Sequence, residues 1–88
     1  MSVYAVYART PHGAHWDLCD VCESQEEADR RAGAVVGRDG AKAASDEAYA
    51  ESLVVAWERR DDVPAHLPVE QAVGVTARYM REGEYHVD

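Results

Sequence analysis

Four side chains able to ligate a borderline metal crowd one short stretch, at the spacing His12-x2-His15-x3-Cys19-x2-Cys22. Tetrahedral Cys2His2 is a common structural zinc site. Ligands close in sequence lower the cost of bringing thiolates and neutral imidazoles to one point. Two features oppose that reading. If residues 14–22 form a strand, Cys22 points away from the face shared by His15 and Cys19. The Cys-Asp-Val-Cys segment also lacks the glycine or proline usual in a tight zinc knuckle. The main expectation is therefore a protein without a cofactor, with a buried cysteine and solvated histidines; a zinc site is the alternative.

The same Cys19-x-x-Cys22 could act as a redox pair, a role that needs one thiol at a helix N-terminus where amide groups stabilise thiolate. The nearest helix start is Ser24, beyond both cysteines, although Asp20 with Glu23 offers an earlier capping box. Asp17, Asp20 and Glu23 surround the motif with negative charge, which raises a thiol pKa and lowers its reactivity. Other catalytic signals are thin. Gly37-x-x-Gly40 is too short for a phosphate loop and carries Asp39 where an anion would sit. Asp61-Asp62 and Glu82-x-Glu84 read as solvated loop charges, Ser24 and Ser45 as helix caps, and Ser52 has no marked base beside it. His66, between Pro64 and Pro68, reads as an exposed loop histidine. Tyr4, Tyr49 and Trp57 read as core packing ahead of a ligand cleft. No enzymatic activity is expected.

The elements that must position these residues begin with residues 2–10. Val3, Ala5 and Tyr7 alternate with Tyr4, Val6 and Ala8, the period of a strand. Thr10-Pro11-His12-Gly13 is a turn signal, and residues 14–22 read as a second strand. Trp16, Leu18, Asp20 and Cys22 would share one face of it, with His15, Asp17, Cys19 and Val21 on the other. The short loop between the strands implies an antiparallel hairpin, which needs a helix or a further strand to cover it. Ser24 with Glu27 is a capping box, and Ala28, Ala32, Val35 and Val36 fall at helical spacing, so an amphipathic helix is predicted over about 24–37.

Residues 45–60 admit both types. Ser45 could cap a helix with Tyr49, Leu53, Ala56 and Trp57 as its stripe, while Leu53-Val54-Val55-Ala56-Trp57 is also the run of a buried strand. The favoured reading is helix at about 45–51 passing into strand at 52–60. Val63 to Pro68 is an extended connector, since two prolines this close exclude regular helix. Pro68 suits the first position of a last helix, with Val69, Ala72, Val73, Thr76, Ala77 and Met80 on one face and Gly83 just beyond its end. A strand through Val73-Gly74-Val75-Thr76 competes with it. The expected fold is α+β: an N-terminal antiparallel hairpin packed by an amphipathic helix, a strand or helix at 45–60, and a C-terminal helix, all in one domain over residues 1–88.

Composition narrows the function. The chain has 88 residues, 47% of them hydrophobic and 30% charged, which suits one thin globular core rather than a disordered tail. Phenylalanine is absent, so two tryptophans and five tyrosines supply the bulk. Seventeen acidic against nine basic residues give a net charge of −8. That argues against nucleic acid, where Lys and Arg must displace counterions, and against an anionic membrane surface. The N-terminus shows no signal peptide and no apolar run approaches the ~20 residues of a membrane span, so a cytoplasmic protein with reduced thiols is expected. These features together point to a non-enzymatic, acidic protein–protein interaction module, self-associating as a homodimer or binding a basic partner. Tyr4, Val6 and Trp16 on the hairpin's outer face, and Asp17, Asp20 and Glu23 in the acidic stretch 17–29, are its candidate contact residues. The alternative is a metal-stabilised or thiol-active domain using His12, His15, Cys19 and Cys22.

Overall fold

The computed structural model describes residues 2–10, 13–36, 49, 51–69 and 74–80. Its centre is a five-stranded antiparallel sheet in the order β4-β2-β1-β3-β5. The strands are β1 (Val3–Arg9), β2 (His15–Cys22), β3 (Glu51–Trp57), β4 (His66–Pro68) and β5 (Val75–Met80), with one helix, α1 (Gln25–Val35), between β2 and β3. The predicted hairpin is present, with β1 antiparallel to β2. It does not form an edge: β1 is flanked on its other side by β3, and β2 by β4.

Alternation along β1 divides the interior into two clusters. Ala5 and Tyr7 face one side, with Trp16, Leu53, Val55 and Leu67. Val6 faces the other, with Cys22, Val54 and the helix residues Ala28 and Ala32. The helix begins where the capping box placed it. Ser24 has extended dihedrals and its Oγ accepts from the Glu27 amide at 3.2 Å. A hydroxyl at this position satisfies an amide that the helix itself leaves unpaired. Ala28, Ala32 and Val36 are buried as the helical spacing requires. The buried Ser52 hydroxyl donates to the Ala32 carbonyl at 2.7 Å and ties the helix to β3.

The opposite face is covered in part by the segment leaving β3. A 3-10 turn at Arg60–Asp62 is followed by Val63, which packs on the Trp16 cluster. Pro64 then accepts a 2.7 Å hydrogen bond from the Tyr7 hydroxyl, and Ala65 accepts from the Leu18 amide at 2.9 Å. This segment carries the chain across the sheet to β4, beside β2.

Two expectations require correction. Residues 75–80 form an edge strand, not a helix. Gly74 has φ +74°, in the left-handed region that breaks a right-handed helix, and its carbonyl accepts from the Ala56 amide at 3.1 Å. Side chains in β5 then divide by strand alternation: Ala77 and Tyr79 pack on the helix-side cluster, while Arg78, opposite Leu53, turns to the other face. The second correction is the connector at 63–68, whose last three residues are β4. A strand ending in Pro68 is compatible with a sheet edge, where the missing N–H breaks no inner ladder. Within 45–60, the strand is Glu51–Trp57. The helix expected at 45–51 falls mostly outside the described residues, and Glu51 belongs to the strand.

Candidate functional site

The geometry of β2 decides what the cysteines can do. Val6 pairs with Asp20 and the next residue, Tyr7, with Leu18, so Cys19 is an extra residue in a β-bulge. The bulge reverses the facing of everything after it. Trp16, Leu18 and Val21 fall on one face, and Asp17, Asp20 and Cys22 on the other, which differs from the strict alternation expected. Cys22 is buried beneath α1, 3% exposed, while Cys19 is at the surface, and neither is in a disulfide.

Both thiols are pushed above their ordinary pKa. For Cys19 the chief cause is desolvation by crowding neighbours, with Asp17 and Asp20 adding to it and a hydrogen bond to Tyr49 opposing. For Cys22 it is burial, then Asp20 and Glu27, with Arg31 and Arg30 opposing. Protonated thiols are poor nucleophiles and poor ligands, and these surroundings work against thiolate formation at both cysteines.

The structure does not gather His15, Cys19 and Cys22. At about 3.3 Å per residue, His15 and Cys22 at opposite ends of β2 lie roughly 20 Å apart, beyond the span of one tetrahedral ion. His12 lies outside the described residues. Among the described residues no three His, Cys, Asp or Glu side chains are placed to hold a metal.

What His15 does approach is His66, unremarkable in the sequence until β4 is known. Their ring centroids are 5.8 Å apart at an interplanar angle of 62°. His66 Nδ1 lies 3.0 Å from Asp17 Oδ1.

Three of the six acidic residues in the stretch 17–29 are engaged within the chain. Asp17 meets His66, Asp20 pairs with Arg31 at 2.5 Å and accepts from the Val21 amide at 2.8 Å, and Glu27 lies 3.6 Å from Arg31. Glu23 is exposed beside a shallow cleft of about 360 Å³ lined by Val21, Cys22, Glu23, Ser24, Glu27 and Arg60. Val6 and Trp16 are buried on opposite sides of the sheet, and Tyr4 packs on the helix-side cluster. Among the described residues, the hairpin therefore presents no apolar outer face formed by Tyr4, Val6 and Trp16. Tyr4 and Trp57 pack on different clusters, on opposite faces of the sheet.

Sequence reasoning missed a buried ionic cluster. Glu51 has no exposed surface. Its Oε2 accepts from Arg9 Nη2 at 3.1 Å, and its Oε1 pairs with Arg78 Nε. Both guanidinium groups also lie over the Trp16 ring, with Cζ at 5.2 Å for Arg9 and 5.8 Å for Arg78. Only the register Arg9↔Glu51, with Arg78 opposite Leu53, makes this grouping visible. Each carboxylate oxygen is satisfied, so the cluster reads as a structural clasp between β1, β3 and β5.

Comparison with family models, curated protein sequences and solved structures yields no match. No helix among the described residues is long and apolar enough to cross a membrane.

Proposed function

We propose that this chain is a non-enzymatic protein–protein interaction module that pairs along the outer edge of β5, its partner being a second copy of itself. The observation that carries the reading is β5. It is a six-residue strand at the end of the sheet, and no described strand pairs with its outer side. The opposite edge, β4, is three residues long and ends in Pro68, two devices that blunt an edge. β5 contains no proline or acidic residue. Its bulge at Thr76, between the pairs Val54↔Ala77 and Val55↔Val75, leaves Ala77 to Met80 as the regular part. Val75 is 40% exposed, the large hydrophobic residue most open to solvent among those described.

Two copies of β5 meeting antiparallel about a two-fold axis would make one continuous ten-stranded sheet, a self-complementary arrangement. The strand's charged side chain, Arg78, is paired with Glu51, so like charges do not confront one another unscreened. A basic partner for the stretch 17–29 is less favoured, because Asp17, Asp20 and Glu27 already have partners in the chain.

One short strand contributes less than the ~800 Å² per partner of a standard interface, so dimerisation is expected to be weak and concentration-dependent. Native mass spectrometry and amide hydrogen exchange test it together. The dimer fraction should rise from micromolar to millimolar protein, and the outward amides within Ala77–Met80 should slow in parallel. A chain that stays monomeric, with β5 exchange independent of concentration, overturns the proposal.

A further inference from the structure

We propose that His15 and His66 bind one borderline divalent transition ion, with zinc as the representative, on the exposed seam between β2 and β4. Asp17 is the positioning residue. The site is separate from the pairing edge, since β4 and β5 lie at opposite ends of the sheet.

The register assembles it. His15 pairs with Pro68, Trp16 with Leu67 and Asp17 with His66. His15 and Asp17 are two apart on β2 and share a face, and His66, directly opposite Asp17, is diagonal to His15 on that face. Trp16 and Leu67 point the other way, into the core. The two imidazoles and the carboxylate therefore stand together on the outside of a short ladder that the core beneath holds in register.

Asp17 determines which nitrogen is available. A carboxylate can only accept, so the 3.0 Å contact to His66 Nδ1 puts the hydrogen on that nitrogen. In the neutral imidazole, the form that binds a metal, Nε2 then carries the lone pair. A carboxylate on the far nitrogen is the usual support of a metal-binding histidine, fixing its tautomer and ring orientation.

The spacing fits. With metal–nitrogen bonds of about 2.0–2.1 Å, each imidazole centroid sits roughly 3.2 Å from a bound ion, and a tetrahedral angle separates the two centroids by roughly 5.2 Å. The observed 5.8 Å lies within about 0.6 Å of that separation, and rotation about χ in side chains free to turn brings a His15 nitrogen and His66 Nε2 to a common point. His15 is exposed and the His66 side chain is 67% exposed, so neither ring is packed in place. The site offers two protein ligands and leaves the remaining positions to water, consistent with no three ligating side chains converging among the described residues. Imidazole suits zinc, copper and nickel over magnesium or calcium. A bound ion would fasten the three-residue β4 to β2.

The test is a titration of chelator-treated full-length chain with zinc by isothermal calorimetry, for the wild type and for His15→Ala, His66→Ala and Asp17→Asn. Nitrogen-detected NMR of the imidazoles is recorded alongside. Each alanine variant should lose one bound ion relative to the wild type. Asp17→Asn should retain it with affinity weakened about 10- to 100-fold, and with a changed tautomer balance at His66, a signature that simple loss of packing would not produce. Coordination should appear at Nε2 of His66. Absence of saturable zinc binding, or the same number of ions at the same affinity in His15→Ala and His66→Ala, overturns the proposal.

Discussion

Glu51 is a carboxylate without exposed surface, the one buried charged residue among those described. Taking an ion out of water costs several kcal/mol, and in the interior this is recovered only when partners satisfy its oxygens. Arg9 and Arg78 do so from neighbouring strands on either side of β3. Their guanidinium groups also lie over the Trp16 ring, and arginine's planar fork can meet the carboxylate and the ring together in a way that lysine's compact ammonium matches less well. Removing Glu51 leaves two arginines beside an apolar cluster, so Glu51→Ala should destabilise the fold by about 3–5 kcal/mol. Arg78→Ala should cost less, because Arg78 is 48% exposed and Arg9 still holds the carboxylate. Urea midpoints at unchanged slope measure both. A Glu51→Ala change within about 0.5 kcal/mol of wild type would mean that the clasp adds nothing to stability. Nothing in the sequence marks these residues as a group, since a contact between Arg9, Glu51 and Arg78 exists only once three strands are in register. The cysteines and histidines attracted notice for the opposite reason: their proximity is sequential, and a strand spreads sequential neighbours along its length.

At the scale of the element, the β2 bulge reconciles a pattern that strict alternation misreads. Omitting Cys19, the remaining residues Trp16, Asp17, Leu18, Asp20, Val21 and Cys22 alternate without a break between the two faces seen in the structure. Deleting Cys19 should therefore turn β2 into a regular strand with every other pairing intact, and the variant should fold cooperatively. Deleting Val21 instead would send Asp20 to the Trp16 face, into the half-buried place of Val21, and would take it from its pairing with Arg31, so this variant should be the less stable of the two. Circular dichroism melts of the two deletions distinguish them: a Cys19 deletion that fails to fold would show that the bulge is needed for more than phasing. Much of the architecture was legible on these terms. β1, the hairpin turn, the Ser24 cap and the Ala28/Ala32 stripe each carry a local signal with one physical meaning. β5 was misread because Val69, Ala72, Val73, Thr76, Ala77 and Met80 also satisfy a helical period, and its bulge at Thr76 breaks the competing alternation. Gly74 was the discriminating residue, as its positive φ ends any helix reading through it. β4 is too short to show periodicity, and with it went any sign that His66 would meet Asp17 and His15.

For the whole molecule, the net charge of −8 on 88 residues sets the terms of association. Two identical acidic bodies repel at long range, whatever their edges offer at contact. Raising salt from about 10 mM to 150 mM shortens the screening length from roughly 30 Å to 8 Å, removing most of that repulsion. A homodimer joined by backbone pairing along β5 loses little of its short-range attraction over the same change. Its dissociation constant should therefore fall as salt is added, as sedimentation equilibrium would measure. A complex between the acidic surface and a basic partner has the opposite sign, because salt screens the attraction that forms it. The sign of the salt dependence thus separates the two modes without knowledge of either interface. A homodimer that weakens with salt would place complementary charges at its centre, contrary to an edge whose single charged residue is already held by Glu51.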